Sequence, residues 1–276
     1  MPIDTTVPDP ETGQAVLALA DSVEQKDGAP PLSDRARTHL RSAGVEHLVV
    51  RAGDEVRAYG QLDGDELELV AADGAAADAV LDAVDRPVAV WSHGTHSRLI
   101  DVFAARGYER RRELFQLRRP GEIPLPADPP LADGITVRCF DAGRDEDAWL
   151  ALNAAAFANH PEQGRLTLED LRAREAEPWF DPAGFLLAER DGELLGFHWT
   201  KIHPDGAGEV YVLGIAPGGQ RLGLGRGLLV RGLRHLAGRG CPYVLLYVDG
   251  DNPSAVRLYE REAFARHDVD VQWRTG

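Results

Sequence analysis

One stretch near the middle of the chain returns close to its end, and this constrains the fold more than any other feature. Trp91 to Arg118 (WSHGTHSRLIDVFAARGYERRRELFQLR) can be laid on Tyr247 to Arg274 (YVDGDNPSAVRLYEREAFARHDVDVQWR) without a gap, at a constant shift of 156 residues. Gly94 then falls on Gly250, Tyr108 on Phe264 and Gln116 on Gln272. The period is far too long for a solenoid and points to duplication of one α/β unit. A chain of 276 residues has room for two such units, each of about 130 residues with its own core.

The pattern of elements agrees. Near the middle, Arg119 to Asp133 (RPGEIPLPADPPLAD) has the composition of a stiff linker. It divides the chain into a first domain, 1–118, a linker, 119–133, and a second domain, 134–276. In the second half ITVRCF reads as a strand and Glu146 to Phe157 as a helix. Thr167 with Asp170 opens another helix as a capping box. GFLLAER, LLGFHWTKI and EVYVLGI, separated by turns at DGE and HPDGAG, read as an antiparallel meander. A glycine-rich loop follows, then a helix with Leu229, Leu233 and Leu236 on one face, strand YVLLYVD, helix Pro253 to Arg261, and a last strand near HDVDVQW. The first half is a shorter version: a helix near 33–42, strands HLVVRA, VRAYGQL and LELVA, helix Ala75 to Val84, and strand VAVW. The expected fold is α/β, with two tandem domains, each a mixed, mostly antiparallel sheet flanked by helices.

The two copies differ where chemistry would sit. AADGAAADAV stands in the first where APGGQRLGLGRGLLV stands in the second, so only the second has a loop able to cradle a phosphate. Asn252, Ala255 and Tyr259 of the second copy correspond to His96, Leu99 and Phe103 of the first, where the hydroxyl is lost.

Net charge is −15 and the sequence pI is about 5.0, which argues against nucleic acid or an anionic membrane as the main partner. Cys139 and Cys241 form no CxxC or Cys/His cluster, so neither a disulfide framework nor a metal site is indicated. MPIDTTVPDPETGQ is acidic and polar, and no run reaches the roughly 18 apolar residues of a membrane span. A soluble, cytoplasmic protein, acting as a monomer, is expected.

Three phosphate loops compete for GGQRLGLGRG. A P-loop would need lysine and Ser/Thr where Leu224 and Gly225 stand. A dinucleotide fingerprint would need its third glycine at Leu228, and would follow the opening strand of a βαβ unit instead of a meander. The remaining pattern is QxxGxG, Gln220 to Gly225, at a helix start, where backbone N–H groups and the helix dipole can hold a pyrophosphate. In this loop the sequence resembles the GNAT superfamily of acyl-CoA-dependent N-acetyltransferases. Asn252, Ala255 and Tyr259, at i, i+3 and i+7 on one helix face, look like that family's NxxAxxxY signature. The family commonly has glycine before the phenylalanine after this helix, and here Ala263 precedes Phe264, which should alter a turn.

FANHPEQG (157–164), EPWFDPAGFLLA (177–188), GFHWTKIHP (196–204) and GEVYVLGI (208–215) narrow the resemblance to the mycothiol synthases, tandem-domain members of that superfamily. The resemblance implies transfer of acetyl from acetyl-CoA to the cysteinyl amine of cysteinyl-glucosaminyl-inositol. It implies acetyl-CoA contacts from Leu213, Gly214 and Ile215, from Gln220, Arg221, Leu222, Gly223, Leu224, Gly225 and Arg226, and from Asn252, Pro253, Ser254, Ala255, Val256 and Arg257. For the acceptor it points to Glu162, Lys201, Glu209, Tyr247 and, where the family has glutamate, Asp34. An α-amine has a pKa near roughly 8 and must lose a proton before attacking a thioester; Glu209 could accept it, and Tyr259 could protonate the departing thiolate. No nucleophile elbow or Cys/His pair indicates a covalent intermediate. The first domain, without the loop, is not expected to bind acetyl-CoA. Two alternatives stay open: an N-acetyltransferase of this fold acting on another small amine or a peptide amino terminus, and a non-catalytic acyl-CoA sensor.

Overall fold

The computed structural model describes residues 2–158 and 163–275, without the side chain of Asp34. The chain forms two compact units: Met1–Phe115 with Asp249–Asp251 and Asp268–Gly276, and Gln116–Val248 with Asn252–His267.

The first unit runs β1 (Ile3–Asp4), α1 (Pro10–Asp27), α2 (Asp34–Thr38), β2 (Glu46–Ala52), β3 (Glu55–Asp63), β4 (Glu66–Ala71), α3 (Gly74–Ala83), β5 (Ala89–Ser92), α4 (Leu99–Ala105) and the start of β6 (Tyr108–Pro120). Alternation puts Val49, Tyr59 and Val70 against Val16, Ala20, Val23 and Leu40 on one sheet face, and Val50, Leu69 and Val90 against Val80 and Phe103 on the other. Helix α1 was not expected from the polar amino terminus. Its signals are local: Asp9 caps Thr12 N–H, Pro10 takes the first helical turn, and Gly28 ends the helix at φ 82°.

The second unit runs β7 (Thr136–Cys139), α5 (Glu146–Ala156), α6 (Leu168–Glu175), β8 (Phe185–Arg190), β9 (Glu193–Ile202), β10 (Gly208–Ile215), α7 (Leu224–Gly238), β11 (Tyr243–Asp249) and α8 (Pro253–Arg261). Its strand order is β11-β10-β9-β8-β7, antiparallel except for the parallel β10–β11 pair. The meander and the Thr167/Asp170 capping box form as expected. Aromatics fill the α5/α6 face, where Phe140 and Trp199 each stack on Phe185 at 4.4 Å and Trp149 meets Phe185 and Trp199 edge-on. Leu186, Leu195, Leu224 and Leu228 fill the α7 face.

The proline-rich stretch is not a free linker, because Gln116 to Asp133 belongs to the second unit. Arg119 is buried and donates to the carbonyls of Glu262 and Ile123 at 2.9 and 2.8 Å; Gly121 N–H donates to Pro242, and Asp128 pairs with Arg234 at 2.7 Å. Nor does the second unit run to the end of the chain. β12 (Ala265–Thr275) sends its later residues to the first unit, where Val271 to Arg274 pair antiparallel with Ser92 to Ala89. Val271 and Trp273 enter the first unit's core, and Trp273 Nε1 donates to Ser92 Oγ at 2.9 Å. Apolar alternation fits this strand to the edge of β5.

Candidate active site

The β10–β11 pairing defines the site. Gly208 and Glu209 pair with Val244 and Leu245, and the parallel ladder ends there. On its other side β10 stays paired with β9 to Ile215, with a register shift between Val210 and Val212. The extra residue turns Tyr211 and Val212 together toward the α5/α6 core. Leu213, Gly214 and Ile215 therefore lie beyond the β11 ladder, with backbone groups able to pair with an added extended chain. At Gly214 a Cβ would come within 2.5 Å of Phe197 and 2.9 Å of Phe157, so any side chain here would displace that packing.

The loop after β10 runs from Ala216 to Gly223 before α7 begins. Arg221 (φ 65°) and Gly223 (φ 76°) take the left-handed region, a turn that gathers successive N–H groups. Gly223 caps α7 without a side-chain hydrogen bond, so the amides of the first turn are left for an anion. In the first unit only Ala72 and Asp73 separate β4 from α3, and Asp73 Oδ1 itself caps Ala76 N–H at 2.9 Å. One copy presents its helix start; the other has filled it with its own carboxylate. Arg226 of the second copy pairs through Nε with the buried Glu262 at 2.5 Å.

Asn252 is the N-cap of α8, accepting from Ala255 N–H at 3.1 Å and Ser254 Oγ at 2.8 Å. This cap starts the helix so that Tyr259 is buried while Pro253, Ser254 and Arg257 remain exposed and Ala255 and Val256 half-buried. The Tyr259 ring packs edge-on against Phe264 at 5.8 Å, and burial pushes its hydroxyl up to about 12. Ala263 keeps the turn that glycine would make: its φ is 65°, and its first-unit counterpart, Gly107, has 76°. Substitution leaves the turn intact because alanine accepts the strained conformation.

Glu209 is buried and lies directly opposite Lys201 across the β9–β10 ladder, so both side chains share one sheet face. Tyr247, two residues along β11 from Leu245, is on that face too. It is 44% exposed, and its hydroxyl accepts from Gln116 Nε2 at 2.8 Å. Glu162 and the side chain of Asp34 lie outside the described residues.

Several neighbours were missed from the sequence. The Lys201 ammonium lies 5.2 Å from the Trp179 ring centre and 5.6 Å from that of Tyr211, a cation held against two aromatic faces. Arg174 Nε donates to Tyr211 Oη at 3.0 Å. His203 Nε2 lies 2.7 Å from Glu209 Oε2. Strand alternation from Lys201 to His203 carries the signal for the last; the aromatic pair depends on packing between distant segments, which the sequence pattern does not mark.

Among the described residues no helix is long and apolar enough to cross a membrane, and no group of three or more His, Cys, Asp or Glu side chains could hold a metal ion. The acetyltransferase (GNAT) family model matches residues 149–264. In fold the chain is similar to a GCN5-related N-acetyltransferase from Sphaerobacter thermophilus (TM-score 0.73, 23% identity, 99% of this chain and 95% of that one). It is also similar to a tandem GNAT protein from the clavulanic acid biosynthesis pathway (TM-score 0.69, 16% identity, 99% and 97%). Fold and site thus define an acetyl-CoA-dependent N-acetyltransferase with two tandem GNAT-like domains. The mycothiol acetyltransferase of Streptomyces avermitilis is 50% identical to the chain, over 96% of this chain and 92% of that protein. That of Thermomonospora curvata is 48% identical, over 97% and 94%. The chain belongs to the mycothiol acetyltransferase family.

Proposed function

We propose that the second unit transfers acetyl from acetyl-CoA to the cysteinyl amine of cysteinyl-glucosaminyl-inositol, forming mycothiol. The observation that carries this reading is the opening of β10 from β11 just past Glu209, next to a helix start with no side-chain cap. Gln220 to Arg226 and the α7 amides would hold the pyrophosphate, with Asn252 to Arg257 alongside; Leu213, Gly214 and Ile215 would pair with the pantetheine arm. Glu209 takes a proton from the acceptor's ammonium, directly or through one water, and the free amine attacks the thioester carbonyl. An amide N–H of β10 polarises that carbonyl. Tyr259, kept protonated by burial, donates its O–H to the departing sulfur. Lys201 and Tyr247, on the face of Glu209, contact the acceptor, together with Glu162 and Asp34.

The first unit takes no acetyl-CoA in this scheme. Asp73 caps its α3, and His93, just beyond β5, contacts Glu68 of β4 at 3.1 Å and Asp270 of β12 at 3.2 Å, joining neighbouring strands where the β4–β5 ladder ends. Measuring acetyl-CoA consumption with cysteinyl-glucosaminyl-inositol against a panel of simple amines and peptide amino termini tests the acceptor. Equal rates across the panel would sink the specific reading, and acetyl-CoA binding without turnover on any amine would favour a sensor.

A further inference from the structure

We propose that His203 is a positioning residue for the reaction: its imidazole holds the Glu209 carboxylate in the orientation that takes the acceptor's proton. The inference rests on Glu209 as the base. Two lone pairs cannot approach to the 2.7 Å that separates His203 Nε2 from Glu209 Oε2, so a proton lies between them. With Glu209 ionised, that proton is the Nε2–H of His203, donated to Oε2. The bond occupies one carboxylate oxygen and leaves Oε1 to meet the amine or an intervening water.

The main chain that carries the imidazole is itself anchored. His203 N–H donates to Ala207 O at 2.8 Å and Gly206 N–H to His203 O at 2.9 Å, closing the HPDGAG turn between β9 and β10. Asp205 Oδ1 accepts from Ala207 N–H at 3.0 Å, and its Oδ2 from the Tyr243 hydroxyl at 3.4 Å. A glutamate has three flexible side-chain torsions, and a base works only within hydrogen-bond reach of the proton it takes. Here the main-chain position of Glu209 is set by the β9–β10–β11 ladder and its far end by His203. Lys201, directly across the ladder, supplies positive charge on the same face, but its ammonium lies against Trp179 and Tyr211. The hydrogen bond that holds Oε2 comes from His203.

The test compares His203→Ala, His203→Gln, Glu209→Gln and the double variant Glu209→Gln/His203→Ala in the full chain, with kcat and KM for both substrates and acetyl-CoA affinity by calorimetry. His203→Ala should lower kcat about 10- to 100-fold, with acetyl-CoA affinity within about twofold of wild type. His203→Gln, which places an amide N–H near the same point, should recover most of that loss. In the Glu209→Gln background, His203→Ala should cost less than about twofold, because a positioning residue has nothing left to position. Wild-type turnover in His203→Ala with slow Glu209→Gln overturns the role of His203 and leaves Glu209 as base. Multiplicative losses in the double variant overturn the positioning role as well. Wild-type turnover in Glu209→Gln removes the base, and the role of His203 with it.

Discussion

Replacing Tyr259 by phenylalanine removes one buried hydroxyl and keeps the ring against Phe264. The size of the effect follows from where the hydroxyl sits. Burial raises Tyr259 to about 12, whereas a free thiol has a pKa near about 8.5. Complete proton transfer to the departing thiolate is therefore uphill by roughly 5 kcal/mol, and a thiolate can leave without it. The hydroxyl then acts chiefly as a hydrogen-bond donor to sulfur that is gaining charge, worth about 1.5–3 kcal/mol. The expected loss in kcat is about 10- to 150-fold, below the upper end of the 10²–10⁴-fold span of a well-matched general acid. Thiol release at saturating acetyl-CoA measures kcat, and calorimetry should show acetyl-CoA affinity close to wild type. A loss beyond about 10⁴-fold would refute this reasoning by requiring a matched acid; less than about threefold would remove the hydroxyl from the sulfur altogether. The same argument places no ionisation of Tyr259 below pH 10, so an alkaline fall in kcat near pH 8–9 must come from another group.

Glu209→Gln should lower kcat/KM for the acceptor by about 10²–10³-fold at pH 7, and the deficit should shrink above pH 8 as the ammonium gives up its proton to solvent; a pH-independent deficit would contradict a base. Titration calorimetry should find one acetyl-CoA per chain, and a second equivalent would show that the first unit also binds. Ala263→Gly relieves a left-handed alanine (φ 65°), offset by unfolded-state entropy, for a net gain of about 0.5–1 kcal/mol; thermal unfolding that falls instead would show that the turn is unstrained. His93 is raised from 6.5 to about 10: burial opposes its charge, but Glu68 and Asp270 outweigh it. Its folded value exceeds its unfolded one, so its contribution is whole below about pH 6.5 and is lost as pH rises toward 10. Denaturation midpoints between pH 7 and 10 should fall more steeply for wild type than for His93→Gln, and parallel curves would exclude the charged pairing.

The sequence carried the local parts of this fold well. The meander, the Thr167/Asp170 cap and the buried leucine face of α7 obey short-range periodicities that need no tertiary information. The tandem architecture was legible because duplication leaves a constant offset, and even a spatial match follows it: Glu66–Ala89 pair in the first unit as Glu209–Leu245 do in the second, with Ala89 and Leu245 again 156 apart. What escaped depended on partners far away in the chain. Arg119 lies in a stretch with linker composition, yet its guanidinium is buried against Glu262 and Ile123. Lys201 reads as surface charge until Tyr211 packs beside it and Trp179 arrives from another segment. Helix α1 was missed for a different reason: the polar opening MPIDTTVPDPETGQ hid the helical spacing of Val16, Ala20 and Val23 that follows it, and the caps at Asp9 and Gly28 were the better guide.

The destination of β12 bears on how the chain is made. Residues 271–274 are translated after all of the second unit, yet they supply the antiparallel partner of β5 and put Val271 and Trp273 into the first core. While a ribosome is still reading the second half, the first half holds an unpaired strand edge and a gap in its interior, a state prone to stray association. The second unit, whose core residues are all in hand earlier, can close first. Synthesis order and order of completion are thereby reversed: the half begun first is finished last.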